Sequence, residues 1–312
     1  MGTELSNVNR ELLASPTSSR LVEVFLSGKS GRTLRAYSED LKDFAAFLGV
    51  QDAKSAAAVL LSKTHGAANE TAFSWRASLV DRGLSPSTVN RRLSALRSLV
   101  KLARTLGLVP WALELSSIRS SKYRETRGPG REGFRALLSL VEKDLSPKGR
   151  RNRVVLRLLW DLALRREEVV SLNVENVDLS AKTLSILGKG RRERETLTLP
   201  PSTLSALRSW LEVRGTLPGP LVVNMDHKTK GERLTGAGLY FIVRELGSRV
   251  GLSVRPHGLR HASITEALEL TGGNVRAVQR FSRHKDLRTL TVYDDNRQDL
   301  AGEVASLVSG AA

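Results

Sequence analysis

From Ser18 to about Leu106, apolar residues recur at every third or fourth position, a spacing that restricts this part of the chain to helices. In RTLRAYSEDLKDFAAFLGV, Leu34, Tyr37, Leu41, Phe44 and Leu48 share one face, and Gly49 suits a helix stop. In LSPSTVNRRLSALRSLVKLARTLGL, Ser85 is placed to cap a helix. Pro86 then takes the first helical position, where its missing N–H costs nothing. Val89, Leu93, Leu96 and Val100 form the stripe that a core would cover. The opposite side carries Arg91, Arg92, Arg97, Lys101 and Arg104, with no acidic residue between Asn90 and Arg104. A face of that kind is either simply solvated or laid against a phosphate backbone.

The periodicity fades between Gly107 and Glu132, where SSIRSSKYRETRGPGRE is basic and rich in Ser, Gly and Arg. These shifts predict a polar tail over 1–16, a helical domain over 17–107, a basic linker over 108–131 and a second domain over 132–312. The second domain mixes periods. FRALLSLVEKDL and NRVVLRLLWDLAL are apolar helices, whereas Thr183–Leu187 and Thr196–Leu199 flank a Gly- and Arg-rich turn in the manner of a β-hairpin. PPSTLSALRSWLEVRG restarts a helix that ends at Gly215. GLYFIVRELGSRVGL and HASITEALEL are again helical; Gly272 and Gly273 close the latter, and Asn274 can cap the next helix. The expected fold class is mainly α with a small β-sheet: a helical N-terminal domain and a mixed α+β C-terminal one.

The charge narrows the partner. In 312 residues, 49 Lys and Arg face 32 Asp and Glu, a formal net charge of +17. Such a surplus favours a polyanion, because each neutralised phosphate releases condensed counterions. No apolar run approaches the roughly 20 residues that span a bilayer, and the N-terminus lacks the pattern of a secretion signal. The expectation is a soluble cytoplasmic protein, associated with the nucleoid rather than a membrane. With no cysteine, disulfides, thiolate nucleophiles and cysteine-based zinc sites are all excluded.

Five histidines and four tyrosines are present in all, and several crowd into RPHGLRH, Arg255 to His261, and SRHKDLRTLTVYDD. These residues could pack a core, ligate a metal or handle a phosphate. Zinc is disfavoured, since His257 and His261 lack the Glu of a His-Glu-x-x-His site and Arg260 between them repels a cation. Metal-free phosphodiester chemistry needs a nucleophile, cations on the non-bridging oxygens and an acid for the leaving oxygen. Arginine suits the second task because its planar fork pairs two oxygens and keeps its charge. Each residue also has a plainer reading. Arg165 and Arg166 can pair on the surface with Glu167 or Glu168. Lys189 can sit in an exposed turn, where Arg191 and Arg192 are alternatives for reaching a phosphate, and Tyr293 can be a core aromatic.

Taken in order, these elements resemble the catalytic domain of the tyrosine recombinases, the phage integrase family that includes the Xer-type enzymes. DLALRREEVVSL matches the family's first arginine at Arg165, with a companion acid at Glu168; the hairpin supplies Lys189 within GKG. HGLRH supplies His257 and Arg260. SRHKDLRTLTVY supplies His284 and, nine residues on, Tyr293. With the two-domain layout, the likeness extends over most of the chain. It departs where Ala163 replaces a usual glycine before LR, and where Ser282-Arg283-His284 replaces the common Leu-Gly-His.

The resemblance implies that Tyr293 attacks the scissile phosphate to form a 3′-phosphotyrosyl link. Arg165 and Arg260 hold the non-bridging oxygens, and Lys189 protonates the leaving 5′ oxygen. His257 and His284 give acid–base and hydrogen-bonding support, Glu168 orients an arginine, and His261 is structural. No metal or nucleotide cofactor is implied. The implied partner is double-stranded DNA with inverted-repeat-like sites, bound by Arg91, Arg92, Arg97, Lys101, Arg191 and Arg192 among others. A dimer occupies each site and a homo-tetramer exchanges strands through a Holliday junction. The stripe Leu300, Val304, Leu307 and Val308 docks on a neighbouring protomer or back on its own domain. A type IB topoisomerase would share the chemistry. A helix-turn-helix protein built on HASITEALELTGGNVRAVQRFSRH would explain the charge, but not Arg165, Lys189 and Tyr293 at these intervals.

Overall fold

The computed structural model describes residues 20–119, 128–187, 193–226, 229–284, 286–287, 290, 306 and 308–310. The chain divides into two compact units, Met1–Lys122 and Tyr123–Ala312.

The first unit is helical: α1 (Leu21–Ser27), α2 (Gly31–Leu48), α3 (Ala53–Leu61), α4 (His65–Asp81) and α5 (Pro86–Thr105). Local chemistry sets the ends. Asp52, Thr64 and Ser85 each accept a backbone N–H at the start of a helix, and Gly49 ends α2 in the left-handed region at φ 68°. The core closes around Trp75, which is completely buried and meets Phe44 at 4.8 Å between ring centroids. Val89, Leu93, Leu96 and Val100 of α5 are all buried there, as the spacing predicts, while Leu34 remains 38% exposed.

The cationic side of α5 is not one uniform surface. Arg91 reaches Asp40 of α2 at 2.5 Å, and Arg92 lies between Asp40 and Asp43, at 3.7 and 2.6 Å. Asp43 also receives the Trp75 indole N–H at 3.2 Å and both terminal nitrogens of Arg82. Arg97 donates to the Leu115 carbonyl, whereas Lys101 and Arg104 are exposed. Two of the five cations thus neutralise carboxylates from another helix. Burial raises the Asp40 carboxyl despite Arg91 and Arg92; burial acts the same way on Asp43, but its bond to Arg82 and the Arg92 charge leave it below the usual range.

Residues 108–119, expected as the start of a linker, instead belong to this unit. Leu108, Val109, Leu113 and Leu115 are buried in its core. Asn69 accepts the Glu114 N–H at 2.7 Å and Asn90 accepts the Ile118 N–H at 2.8 Å. The segment has no helical period because it runs without regular structure along the helices, its polar backbone groups satisfied by asparagines.

The second unit contains α6 (Gly130–Glu142), α7 (Pro147–Trp160), α8 (Arg166–Ser171), a 3-10 turn (Val174–Asn176), and strands β1 (Val177–Asp178), β2 (Thr183–Leu187) and β3 (Arg194–Thr198). It continues with α9 (Pro201–Arg214), α10 (Gly236–Arg249), α11 (Pro256–Leu270) and α12 (Val275–Ser282). The strands form an antiparallel sheet in the order β1-β2-β3, with Leu184 opposite Leu197 and Ile186 opposite Glu195. Leu184 and Ile186 point into the core while their neighbours on β2 are only partly covered, the alternation of a half-buried strand. At the centre runs α7, whose Val154, Val155, Leu156, Leu158 and Leu159 are all buried among α6, α9 and α11.

Gly128 sits against α11. A Cβ there would fall 1.9 Å from the Gly258 carbonyl oxygen and 2.6 Å from Ala262 Cβ, so only glycine permits the approach. Arg131 and Glu266 then pair between α6 and α11. Among the described residues no single helix is long and apolar enough to cross a membrane.

Candidate active site

Two short segments frame the site. The first is the turn Asp161–Arg165 after α7. Ala163 adopts φ 44° there and is completely buried, with its small side chain packed against Ile264, Val278 and Leu290. This turn presents Arg165 as the cap residue immediately before α8. The second is the end of α12, where Arg283 adopts φ 56° and closes the helix in the left-handed region. Both positions at which the chain departs from a usual glycine are therefore left-handed. For a residue with a Cβ that conformation costs on the order of 1–2 kcal/mol.

Glu168 is the hinge of the local charge arrangement. It is buried and accepts the Arg165 backbone N–H at 2.8 Å, Arg165 Nη1 at 2.8 Å and Arg283 Nη2 at 3.2 Å. Burial alone would raise its carboxyl, but these donors and the two guanidinium charges outweigh it and keep the group ionised below the usual range. Arg165 is the more open partner, about one third exposed. Its Nη2 donates to the Arg283 carbonyl at 3.4 Å, and a guanidinium has further N–H donors to offer an oxyanion.

α11 delivers the next pair. Pro256 opens the helix, His257 lies exposed in its first turn and Arg260 follows at i+3 on the same side. Arg260 is 2% exposed; Nη1 bonds the Ala163 carbonyl and Nη2 the Ser282 carbonyl at 2.5 Å. His261 is buried on the same helix, as its structural reading anticipates.

His284 comes directly after Arg283, half-buried, its backbone carbonyl receiving Gln279 Nε2 at 3.2 Å. Burial, reinforced by the charges of Arg260, Arg165, Arg283 and His257, pushes the imidazole down to about 4. It is neutral at pH 7. The structure thus brings Arg165, Glu168, His257, Arg260 and His284 into one neighbourhood. Lys189, Arg191, Arg192, Tyr293 and the tail residues Leu300, Val304 and Leu307 lie outside the described residues.

One member was not legible as such. Arg283, which stands where the family's common Leu-Gly-His has glycine, is 7% exposed with its guanidinium turned inward. The irregular Ser-Arg-His was the only sequence signal marking it.

The half-buried, neutral His284 has a consequence for stability. Unfolded, it takes up a proton below its ordinary 6.5; folded, it stays neutral until about 4. Between those values the unfolded chain binds more protons, so stability is expected to fall as the pH drops from 6.5 to 4. Glu168, with its lowered carboxyl, acts in the same direction. Replacing His284 by Asn is expected to flatten the urea midpoint against pH across that window. A slope equal to that of the wild type would contradict a His284 imidazole held neutral by its half-buried, cationic surroundings.

Comparison with known proteins points the same way. Residues 131–299 match the model described as the phage integrase family, and residues 25–106 that of the phage integrase N-terminal SAM-like domain. The chain is 40% identical over 282 residues to a tyrosine recombinase of Synechococcus elongatus, covering 88% of each. It is 35% identical over 311 residues to a tyrosine recombinase of Synechocystis, covering 98% of this chain and 96% of the relative. Among solved structures, the XerH site-specific recombinase bound to palindromic difH substrate superposes with a TM-score of 0.69 at 21% identity. That match covers 95% of this chain and 86% of the other. A lambda integrase dimer bound to a COC′ core site gives 0.65 at 16%, covering 89% and 77%. At these identities the two structures speak for the fold.

Proposed function

The chain belongs to the phage integrase family of tyrosine recombinases, and on that premise we propose that it is a site-specific DNA recombinase that cleaves and rejoins strands through a phosphotyrosyl intermediate. The observation that carries this reading is the grouping of Arg165, Glu168, His257, Arg260 and His284 around two left-handed turns, in the order the family uses. The net charge of +17 supports DNA as the partner.

In this reading Tyr293 Oη attacks the phosphorus and the bond from phosphorus to the 5′ oxygen breaks. The phenolic proton passes to His257, and Lys189 supplies a proton to the departing oxygen. Arg165 and Arg260 carry the charge on the non-bridging oxygens. His284, neutral at pH 7, serves as a hydrogen-bonding partner rather than a cation. The reverse attack by a 5′-hydroxyl reseals the strand, so the bond energy is conserved without a nucleotide cofactor. Lys189 and Tyr293 hold these roles by their place in the sequence. A dimer on each inverted-repeat-like site and a tetramer during exchange complete the scheme. Lys101 and Arg104, exposed on α5, are suited to backbone phosphates.

The test is covalent trapping. Duplexes bound by the full chain are selected from a random pool, and the recovered site is nicked beside each phosphate in turn. The wild type is expected to give a denaturant-resistant protein–DNA adduct and Tyr293→Phe none. No adduct with the wild type overturns the enzyme; an adduct with the phenylalanine variant overturns the nucleophile.

A further inference from the structure

Arg283 combines features that seldom meet. It has a side chain at a left-handed position, φ 56°, where glycine would sit without strain, and that side chain is buried rather than solvated. A buried cation is retained only where it is paired and hydrogen-bonded. Its Nη1 donates to the Leu162 and Phe281 carbonyls at 3.0 and 3.1 Å. Its Nη2 donates to the Ala163 carbonyl at 3.0 Å and to Glu168 Oε2 at 3.2 Å.

The last two acceptors are shared. Glu168 is the carboxylate that holds Arg165, and the Ala163 carbonyl is the one that receives Arg260 Nη1. A single buried guanidinium therefore touches the seats of both arginines that the proposed reaction places on the phosphate. Its own backbone carbonyl also receives Arg165 Nη2, and the preceding carbonyl, of Ser282, receives Arg260 Nη2. No surface or packing function needs that coincidence. A solvent-facing arginine would not be buried, and a space-filling residue would not bond to both seats.

We infer that Arg283 is a positioning residue, which sets the separation of the Arg165 and Arg260 guanidiniums by holding Glu168 and the Ala163 carbonyl in fixed register. It does not touch the phosphate. A glycine at this position would free the turn of strain but remove the bridge between the two seats. Here the bridge replaces that freedom. The inference rests on the recombinase reading, because only there do the two arginines share a substrate group.

The experiment compares Arg283→Met, Arg283→Gly and Arg283→Lys in the full chain, each alone and with Glu168→Gln. Single-turnover adduct formation and equilibrium binding are measured on the nicked duplex selected with the wild type. Misplacing a clamping group by an ångström costs on the order of 100-fold in rate. Accordingly, Arg283→Met is expected to slow adduct formation about 30- to 300-fold, with DNA affinity held within about 3-fold. Arg283→Gly should be as slow despite its unstrained turn, and Arg283→Lys should recover part of the rate through its charge. Because Arg283 acts in part through Glu168, its loss should cost less in the Glu168→Gln background. Rates of Met and Gly variants near that of the wild type, or an equal cost in both backgrounds, overturn the inference. If the Met variant does not fold, the Gly variant decides by the same criteria. Absence of any adduct with the wild type instead overturns the enzyme reading, and the inference falls with it.

Discussion

Arg260→Ala is expected to abolish measurable adduct formation, a loss of at least about 1,000-fold, and also to destabilise the second unit by about 3–5 kcal/mol. The two effects have separate causes. In the proposed reaction Arg260 is a cation facing developing charge on a phosphoryl group, and its loss removes stabilisation that water does not replace. Arg260 is also among the largest buried side chains of the protein, and its two terminal nitrogens satisfy the carbonyls of Ala163 and Ser282. Truncation strips the Ser282 carbonyl of its Arg260 donor, leaves the Ala163 carbonyl to Arg283 alone, and opens a cavity where α11 meets the two left-handed turns. Arg260→Lys keeps a charge but cannot span both carbonyls, so it should recover some stability and little rate. Adduct assays paired with denaturant titration separate the contributions. A stable, folded Arg260→Ala protein would mean that the buried bonds of this arginine contribute nothing, contrary to the geometry.

The second large effect lies in the helical unit. Asp43→Ala should lower stability by about 3 kcal/mol, because breaking a buried ion pair from one side leaves the other charge uncompensated. Arg92, only 16% exposed, would keep Asp40 at 3.7 Å as its remaining carboxylate, and the Trp75 indole N–H would lose its acceptor. Arg92→Ala is expected to destabilise as well. Lys101→Ala, by contrast, should leave the unfolding midpoint in place, weaken DNA binding and reduce the salt slope by about one. Urea unfolding followed by tryptophan fluorescence reads the first pair, and binding isotherms at several salt concentrations read the third. Arg92→Ala with unaltered stability would return Arg92 to the solvent-facing role that its place on the basic face of α5 suggested.

How far the sequence reached depends on the range of the interaction behind each feature. The helix ends at Gly49, Ser85, Gly215 and Asn274 were legible because a cap is decided within a few residues. The same holds for the β2–β3 pair, whereas β1 is too short to carry a pattern. The grouping of Arg165, His257, Arg260 and His284 came from the resemblance to the family's motif order; periodicity alone would not have joined α8 to α11. What stayed hidden needed a partner distant in the chain. The basic face of α5 looked uniform because Asp40 and Asp43 lie some fifty residues earlier, on another helix. Residues 108–119 looked like a linker because irregular backbone packed on the core and tied by Asn69 and Asn90 leaves no periodic trace. Ala163 and Arg283 were visible as irregularities, but their shared backbone conformation appeared only in three dimensions.

The close seating of Gly128 on Gly258 carries a lesson for anyone who would re-engineer the chain. The helix bearing His257 and Arg260 is moored to the incoming polypeptide just before α6 begins. Spacers, protease sites or reporter insertions placed well upstream of this mooring should leave the arginine helix undisturbed. The same insertion between Gly128 and Gly130 would tug directly on its backbone. A side chain at 128 would force the two segments apart, so 128 and 258 are to be treated as one joint when the protein is cut, fused or lengthened.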